Sequence, residues 1–275
     1  PALPPNHLVV SQFTETTGKN MRKQVMWVDG PVHLVKRFFP VNIMHLFHDD
    51  LFGWQDVLRR VNPDIQQLWF VDDYGKPIVY ESVYEWFKQL GVTVKHLLDF
   101  KGPKNAPSPN LDKMVCFRDA TVGTSKRYVW YQYGYKDKQS PINHTIQQDD
   151  LADAFDWFRA RANVSIPAHF YRSRQRAFKA IANNKRPAYD EDLQITVFTR
   201  SKTRLLINTN ALIVRLEREF RLPVKRVGLE GMSIGQIIQE LSKSVVAVGL
   251  HGSLLVMAGF MPPGGILVEG FPYAV

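Results

Sequence analysis

Short apolar runs alternate with amphipathic stretches along the chain, and the alternation is clearest in its second half. Gln194-Ile195-Thr196-Val197-Phe198-Thr199 reads as a strand, and a helix capped by Asn208 or Asn210 runs on to Phe220. Val224-Lys225-Arg226-Val227 is a further strand, Ser233 caps a helix over 234–242, and 245–250 is apolar enough for a strand buried on both faces. His251-Gly252-Ser253 then turns into a short helix before a last strand over 265–269. Strands and helices in alternation, joined by short turns, predict an α/β fold built on a parallel sheet covered on both faces.

The first half shows the same alternation less regularly. The pattern predicts a helix over 42–60, a buried strand over 67–71, a helix over 79–90 stopped by Gly91, a strand over 113–117 and a helix over 149–162. In that last helix Ala152, Phe155, Phe158 and Ala162 share one face. The basic, proline-containing stretch from about His169 to Asp190 is the natural boundary between an N-terminal domain, 1–190, and a C-terminal domain, 191–275.

Composition narrows the function. Of 275 residues, 45% are hydrophobic and 22% charged, which is a globular balance. No apolar run reaches the roughly 18–20 residues a membrane span needs. The opening Pro1-Ala2-Leu3-Pro4-Pro5 reads as the inside of a longer protein, so any anchor is expected outside this chain. Cys116 is the only cysteine, which excludes an internal disulfide and a cysteine-based zinc cluster. Asn143-His144-Thr145 and Asn163-Val164-Ser165 are glycosylation sequons, so Asn143 and Asn163 hint at a secretory setting.

The net charge of +9 asks for an acidic partner: nucleic acid, anionic lipid or a nucleotide diphosphate. Much of it lies in 171–179 and in 200–226, where eight Lys/Arg face only Glu217 and Glu219. A nucleic-acid partner is not expected, because such a surface interleaves aromatics with cations and the 171–179 run is a thin example.

Ligands of open α/β sheets bind beyond the carboxyl ends of the strands. Three such ends carry chemistry: Thr199-Arg200-Ser201-Lys202-Thr203-Arg204, Leu250-His251-Gly252-Ser253 and Glu269-Gly270-Phe271. Gly252-Ser253 opening a helix suits a pyrophosphate, and Arg200 and Arg204 can bind phosphate bidentately. Glu269 can accept from a ribose diol. Asn42-Ile43-Met44-His45-Leu46-Phe47-His48-Asp49-Asp50 leaves three readings open. His45 and Asp49, four apart, form a base dyad; His45, His48 and Asp49 chelate a metal; or a carboxylate holds an interior histidine for packing.

Several segments together resemble glycosyltransferase family 61. Residues 42–51 are similar to N-L-M-H-V-F-H-D-D-L. Val122-Gly123-Thr124-Ser125-Lys126 and Trp130-Tyr131-Gln132-Tyr133-Gly134 resemble V-G-L-S-K and W-Y-Q-Y-G. Phe198-Thr199-Arg200 with 204–208, His251-Gly252-Ser253, and 268–275 resemble F-S-R with R-L-I-L-N, H-G-A, and V-E-L-F-P-Y-A-V. Here Ser253 stands for the usual Ala and Gly270 for a Leu.

The resemblance implies a GT-B-like fold of two Rossmann-like domains whose parallel sheets face a cleft, with 191–275 an incomplete second domain. It implies an inverting transfer of N-acetylglucosamine from UDP-N-acetylglucosamine to an O-mannosylated protein, in the endoplasmic-reticulum lumen, by part of a single-pass membrane protein. Within it His45 and Asp49 are catalytic and Asn42, His48 and Asp50 serve the acceptor or support the site. Arg200, Arg204, His251, Gly252, Ser253 and Glu269 hold the nucleotide sugar. No cofactor or divalent metal is expected, since such transferases use dipoles and Arg, and no DxD triplet stands at a strand end. A domain that binds a UDP-sugar or glycan without turnover, or a xylose transferase, fits the same motifs.

Overall fold

The computed structural model describes residues 25–72, 80–96, 114–128, 146–188 and 190–271. Asn143, the 130–134 motif and residues 272–275 of the terminal motif lie outside them. By compactness the chain divides into two units, Pro1–Val41 with His48–Thr145 and Asn42–Phe47 with Ile146–Val275.

The first unit holds a parallel sheet of β1 (Val25–Val35), β2 (Gln67–Phe70), β3 (Thr93–His96) and β4 (Met114–Val122), in the order β3-β2-β1-β4. Val28, Val32, Leu34 and Trp69 form a core on this sheet. Trp54, Phe70, Tyr84 and Phe87 pack as a second aromatic cluster. The expected strand over 113–117 extends to Val122, and β1 and β3 are additions to the expected elements.

The expected helix over 42–60 forms as four segments end to end: Ile43–His45, Leu46–Leu51, Phe52–Asp56 and Val57–Val61. The second and fourth are π-helical, wider turns that recur at functional sites. Gly53 is required here by close approach. A Cβ at that position would stand 1.8 Å from Thr124 Oγ1, so the Gly123-Thr124-Ser125 turn packs onto the bare face of the helix.

The second unit holds β5 (Gln194–Phe198), β6 (Val224–Val227), β7 (Ser244–Leu250) and β8 (Ile266–Gly270), all parallel, in the order β6-β5-β7-β8. Its helices are α1 (Gln148–Arg161), α2 (Phe170–Ala182), α3 (Thr209–Phe220) and α4 (Ile234–Leu241). Ser233 caps α4 as expected, and Gln236 returns the bond in a capping box. Asn208 holds the cap position of α3 but makes no side-chain cap bond.

The 169–190 stretch, expected as the boundary, lies within the second unit. It carries α2, whose Phe170 and Ala177 enter the core of Leu193, Ile195, Val197, Val224 and Val245. Likewise Phe155 of α1 meets Phe260 edge to face, and Arg159 donates to the Phe260 carbonyl. Residues 146–190, expected in the first domain, therefore pack with the second unit. Among the described residues no helix is long and apolar enough to cross a membrane.

Candidate active site

In a parallel sheet the crevice opens where the strand order reverses direction. In the second unit the chain adds β6 on one side of β5 and β7 on the other, so the reversal lies between the carboxyl ends of β5 and β7. Arg200 follows β5, and His251-Gly252-Ser253 follows β7. The sequence-derived cluster thus sits at the position this topology reserves for a ligand.

The geometry there is specific. Gly252 needs its missing side chain, because a Cβ would stand 2.7 Å from Arg200 Nη1 and 2.9 Å from Arg204 Nη1. Two guanidinium groups thus converge on one stretch of backbone. Arg204, at φ 54°, adopts the left-handed backbone that non-glycine residues seldom take, and its Nη1 donates to the His251 carbonyl at 3.0 Å. Arg200 Nη1 is shielded from solvent and has no hydrogen-bond partner among the described residues. Burying such a donor unmatched costs about 1–3 kcal/mol, a cost an anion would remove. Ser253 begins a 3₁₀ segment, Ser253–Phe260, and Leu255 N closes its first turn onto the Gly252 carbonyl.

Three further groups complete this end of the sheet. His251 Nδ1 lies 2.7 Å from Glu269 Oε1, and the His251 ring stacks on Phe271 with centroids 5.1 Å apart. Glu230 accepts from the Ser201 hydroxyl at 2.9 Å. Burial works against the charge of Glu230, but bonds from Ser201 and the nearby Arg200 charge hold its carboxyl below the usual range. Glu230, Ser201 and Phe271 were not among the expected site residues. The signal for Phe271 was its place two residues past Glu269; Glu230 offered none.

The helix motif brings in His48 as well. Asn42 caps the first turn, its Oδ1 accepting from Met44 N at 3.0 Å. His45 is half-buried, and by compactness it falls in the second unit. His48 Nδ1 lies 2.9 Å from Asp49 Oδ1, and His48 is buried. Asp50 is buried as well. One oxygen accepts from Phe38 N at 3.1 Å and the other is enclosed without a partner among the described residues. Burial pushes the Asp50 carboxyl well above the usual range, further than the Phe38 bond can lower it, and the Asp49 and Asp72 charges push the same way. Asp72 itself forms a buried pair with Arg37, whose guanidinium lies 4.6 Å from the Phe70 ring centroid. Among the described residues no three His, Cys, Asp or Glu side chains gather as a metal-binding group.

Asn163 is exposed in the turn that ends α1, at φ 56°, with Ser165 also exposed. The sequon is therefore accessible.

Comparison with known proteins gives a family for part of the chain. Residues 157–268 match the family described as Glycosyltransferase 61, a span that includes Arg200, Arg204, His251, Gly252 and Ser253. Over 244 residues the chain is 31% identical to protein O-linked-mannose beta-1,4-N-acetylglucosaminyltransferase 2 of Tetraodon nigroviridis, covering 88% of this chain and 37% of that protein. The protein of the same name from Mus musculus is 31% identical over 247 residues, with the same coverage, and that from Danio rerio 30% over 244. The chain spans a little over a third of the length of these curated relatives. The segment that carries the two converging arginines is thus a glycosyltransferase family 61 domain.

Proposed function

We propose that this chain carries the donor side, and part of the acceptor side, of an inverting glycosyltransferase of GT-B-like build. It transfers N-acetylglucosamine from UDP-N-acetylglucosamine to an O-mannosylated protein in the endoplasmic-reticulum lumen. The names of the relatives support the sugar and the acceptor, and the exposed Asn163 sequon supports the compartment. The observation that carries the donor site is the convergence of Arg200 and Arg204 on Gly252, with one Arg200 nitrogen unmatched.

The chemistry follows from that placement. An acceptor hydroxyl attacks the anomeric carbon from the face opposite UDP and gives its proton to a base. The bond to the diphosphate oxygen breaks, and its electron pair leaves with UDP. Arg200 and Arg204 neutralise the charge growing on the diphosphate, which is worth most in a site with little water. The Glu269 carboxylate accepts a hydrogen bond from His251 Nδ1–H, leaving Nε2 as the ring nitrogen available to the nucleotide. Residues 43–51 supply the base, with His45, His48 and Asp49 within five positions. No metal is assigned a role, because the guanidinium pair provides the charge a cation would bring.

Calorimetry with UDP, with and without chelator, tests this reading. Binding insensitive to chelator supports it, and absence of binding in both conditions refutes an independent donor site in these residues.

A further inference from the structure

The donor site leaves the other basic concentration, α2, unused. Between Phe170 and Arg186 the sequence holds six Lys/Arg and no Asp or Glu. The inner face of the helix is fixed in the core through Phe170, Ser173 and Ala177. Its outer face presents Tyr171, Arg174, Gln175, Phe178 and Lys179 in one stripe at helical spacing, and together with Gly264 they line an open groove of about 750 Å³. Tyr171 is 44% exposed, Phe178 38% and the adjoining Ile181 39%.

The charges are unbalanced. Arg176 reaches Asp190 at 3.5 Å, but Arg172, Lys179, Lys185 and Arg186 have no carboxylate partner among the described residues. Arg174 is tethered: it donates to the Pro263 carbonyl and lies 5.2 Å from the Tyr171 ring centroid. Gly264, at φ 83°, makes room for that guanidinium, since a Cβ there would stand 2.7 Å from its Nη1.

We propose that this groove binds an extended acidic segment of polypeptide. Apolar side chains of the segment lie against Tyr171 and Phe178, and its carboxylates meet Arg172, Lys179 and Lys185. Tyr171 to Ala182 spans about 16 Å of helix, the reach of about five extended residues. Charge complementarity selects an anion, and the exposed apolar area selects one that carries apolar side chains. A nucleic-acid strand fits less well because Arg174 already covers the Tyr171 ring that would stack a base. A bilayer fits less well because a plane does not fill a concave groove. The inference stands apart from the donor-site reading, since it concerns another part of the unit.

The test uses the whole chain and a fluorescein-labelled peptide of Asp and Glu with a central Phe and Leu, read by anisotropy. We expect saturable binding at roughly physiological salt. Lys179→Glu and Phe178→Ser, both at exposed positions, are each expected to weaken it at least about tenfold while UDP binding stays unchanged. A peptide of the same charge without Phe and Leu is expected to bind more weakly. Peptide affinity indifferent to both substitutions overturns the proposal. So does tighter retention of a thymidine oligonucleotide or of phosphatidylserine vesicles, lost in the same variants. Failure of UDP to bind the parent chain would strike the donor-site reading alone.

Discussion

Glu269 Oε1 lies 2.7 Å from His251 Nδ1, across the ends of two neighbouring parallel strands. A ribose diol was the expected partner of Glu269, yet this carboxylate is engaged by an imidazole. On the donor-site reading proposed above, Glu269 acts on a nucleotide through His251, by fixing which ring nitrogen faces the ligand. Glu269→Ala is expected to weaken UDP binding by about 3- to 10-fold, about 0.6–1.4 kcal/mol. Glu269→Gln, which keeps an acceptor oxygen, should stay within about twofold. Equal losses in both would show that charge, and not ring orientation, is what Glu269 contributes.

Arg204 and Gly252 make a paired prediction. On the proposed reading Arg204→Ala removes one of two diphosphate donors and should cost UDP about 10- to 100-fold in affinity, at about 1.4 kcal/mol per tenfold. Uridine, which lacks the diphosphate, should lose almost nothing. Gly252→Ala leaves both arginines in place but pushes a methyl toward Nη1 of each, so its loss should fall on UDP in the same way. Titrations with UDP and uridine decide it. A uridine loss as large as the UDP loss would remove Arg204 from the diphosphate.

The second half was legible in sequence because strands buried on both faces leave uninterrupted apolar runs, as 245–250 does, and each ends in its own turn chemistry. β1 was not legible. Asp29-Gly30-Pro31 breaks its apolar pattern, and the structure absorbs the break as a register shift against β4 between Val28 and Pro31. α2 was hidden by its charge, since its cations resemble a solvated linker until Phe170 and Ala177 are seen inside. Asp49 was assigned to His45 by the four-residue repeat of an α-helix. In the π-helical Leu46–Leu51 segment Asp49 is also met by His48, a contact between adjacent residues that the repeat does not announce. The Arg37–Asp72 pair joins residues 35 positions apart, and no local pattern announces it.

Acid should destabilise the first unit through His33. This buried imidazole lies 2.7 Å from the Gly123 carbonyl through Nε2, and burial lowers its pKa from 6.5 to about 4. Between those values the unfolded chain binds a proton that folded His33 does not, so stability falls as pH falls through that window. At 1.36 kcal/mol per pH unit the loss is about 3 kcal/mol. Asp50 has the opposite sign, because a raised carboxyl pKa makes the folded state bind the extra proton and lowers stability as pH rises. Asp50→Asn should therefore raise the melting temperature near neutrality and leave the acid loss in place. Melts from about pH 4 to 7 on the parent, Asp50→Asn and His33→Gln would show it, with the acid slope flattened only in His33→Gln.

The contact of Gly53 with Thr124 predicts suppression. Gly53→Ala sets a methyl 1.8 Å from Thr124 Oγ1, an overlap that must displace the turn or the helix and should cost about 1–3 kcal/mol. Thr124→Ala removes that oxygen and leaves the residue's own Cβ, at 3.2 Å, and Ser125 O, at 3.3 Å, as the nearest remaining atoms. The double substitution should recover most of the loss, a coupling well above the few tenths seen for independent sites. Additive losses in urea melts would mean the helix and turn do not meet as described.

The base is the last assignment to separate. His45→Ala and Asp49→Ala are expected to abolish turnover while UDP binding stays within about twofold, because they act on the acceptor's proton and not on the diphosphate. His48 makes the test sharper, since its Nδ1 is the nitrogen that meets Asp49. If Asp49 serves chiefly to hold His48, then His48→Ala should reproduce the Asp49→Ala defect and the double variant should be no worse than either. If His45 is the base and Asp49 supports it, His48→Ala should retain a measurable rate, and the His45 and Asp49 losses should be the pair that fails to add. Single-turnover rates with UDP-N-acetylglucosamine and an O-mannosyl peptide, with UDP affinity measured on the same preparations, distinguish the two. A loss of UDP affinity in His45→Ala as deep as that in Arg204→Ala would take His45 out of proton transfer and put it at the donor.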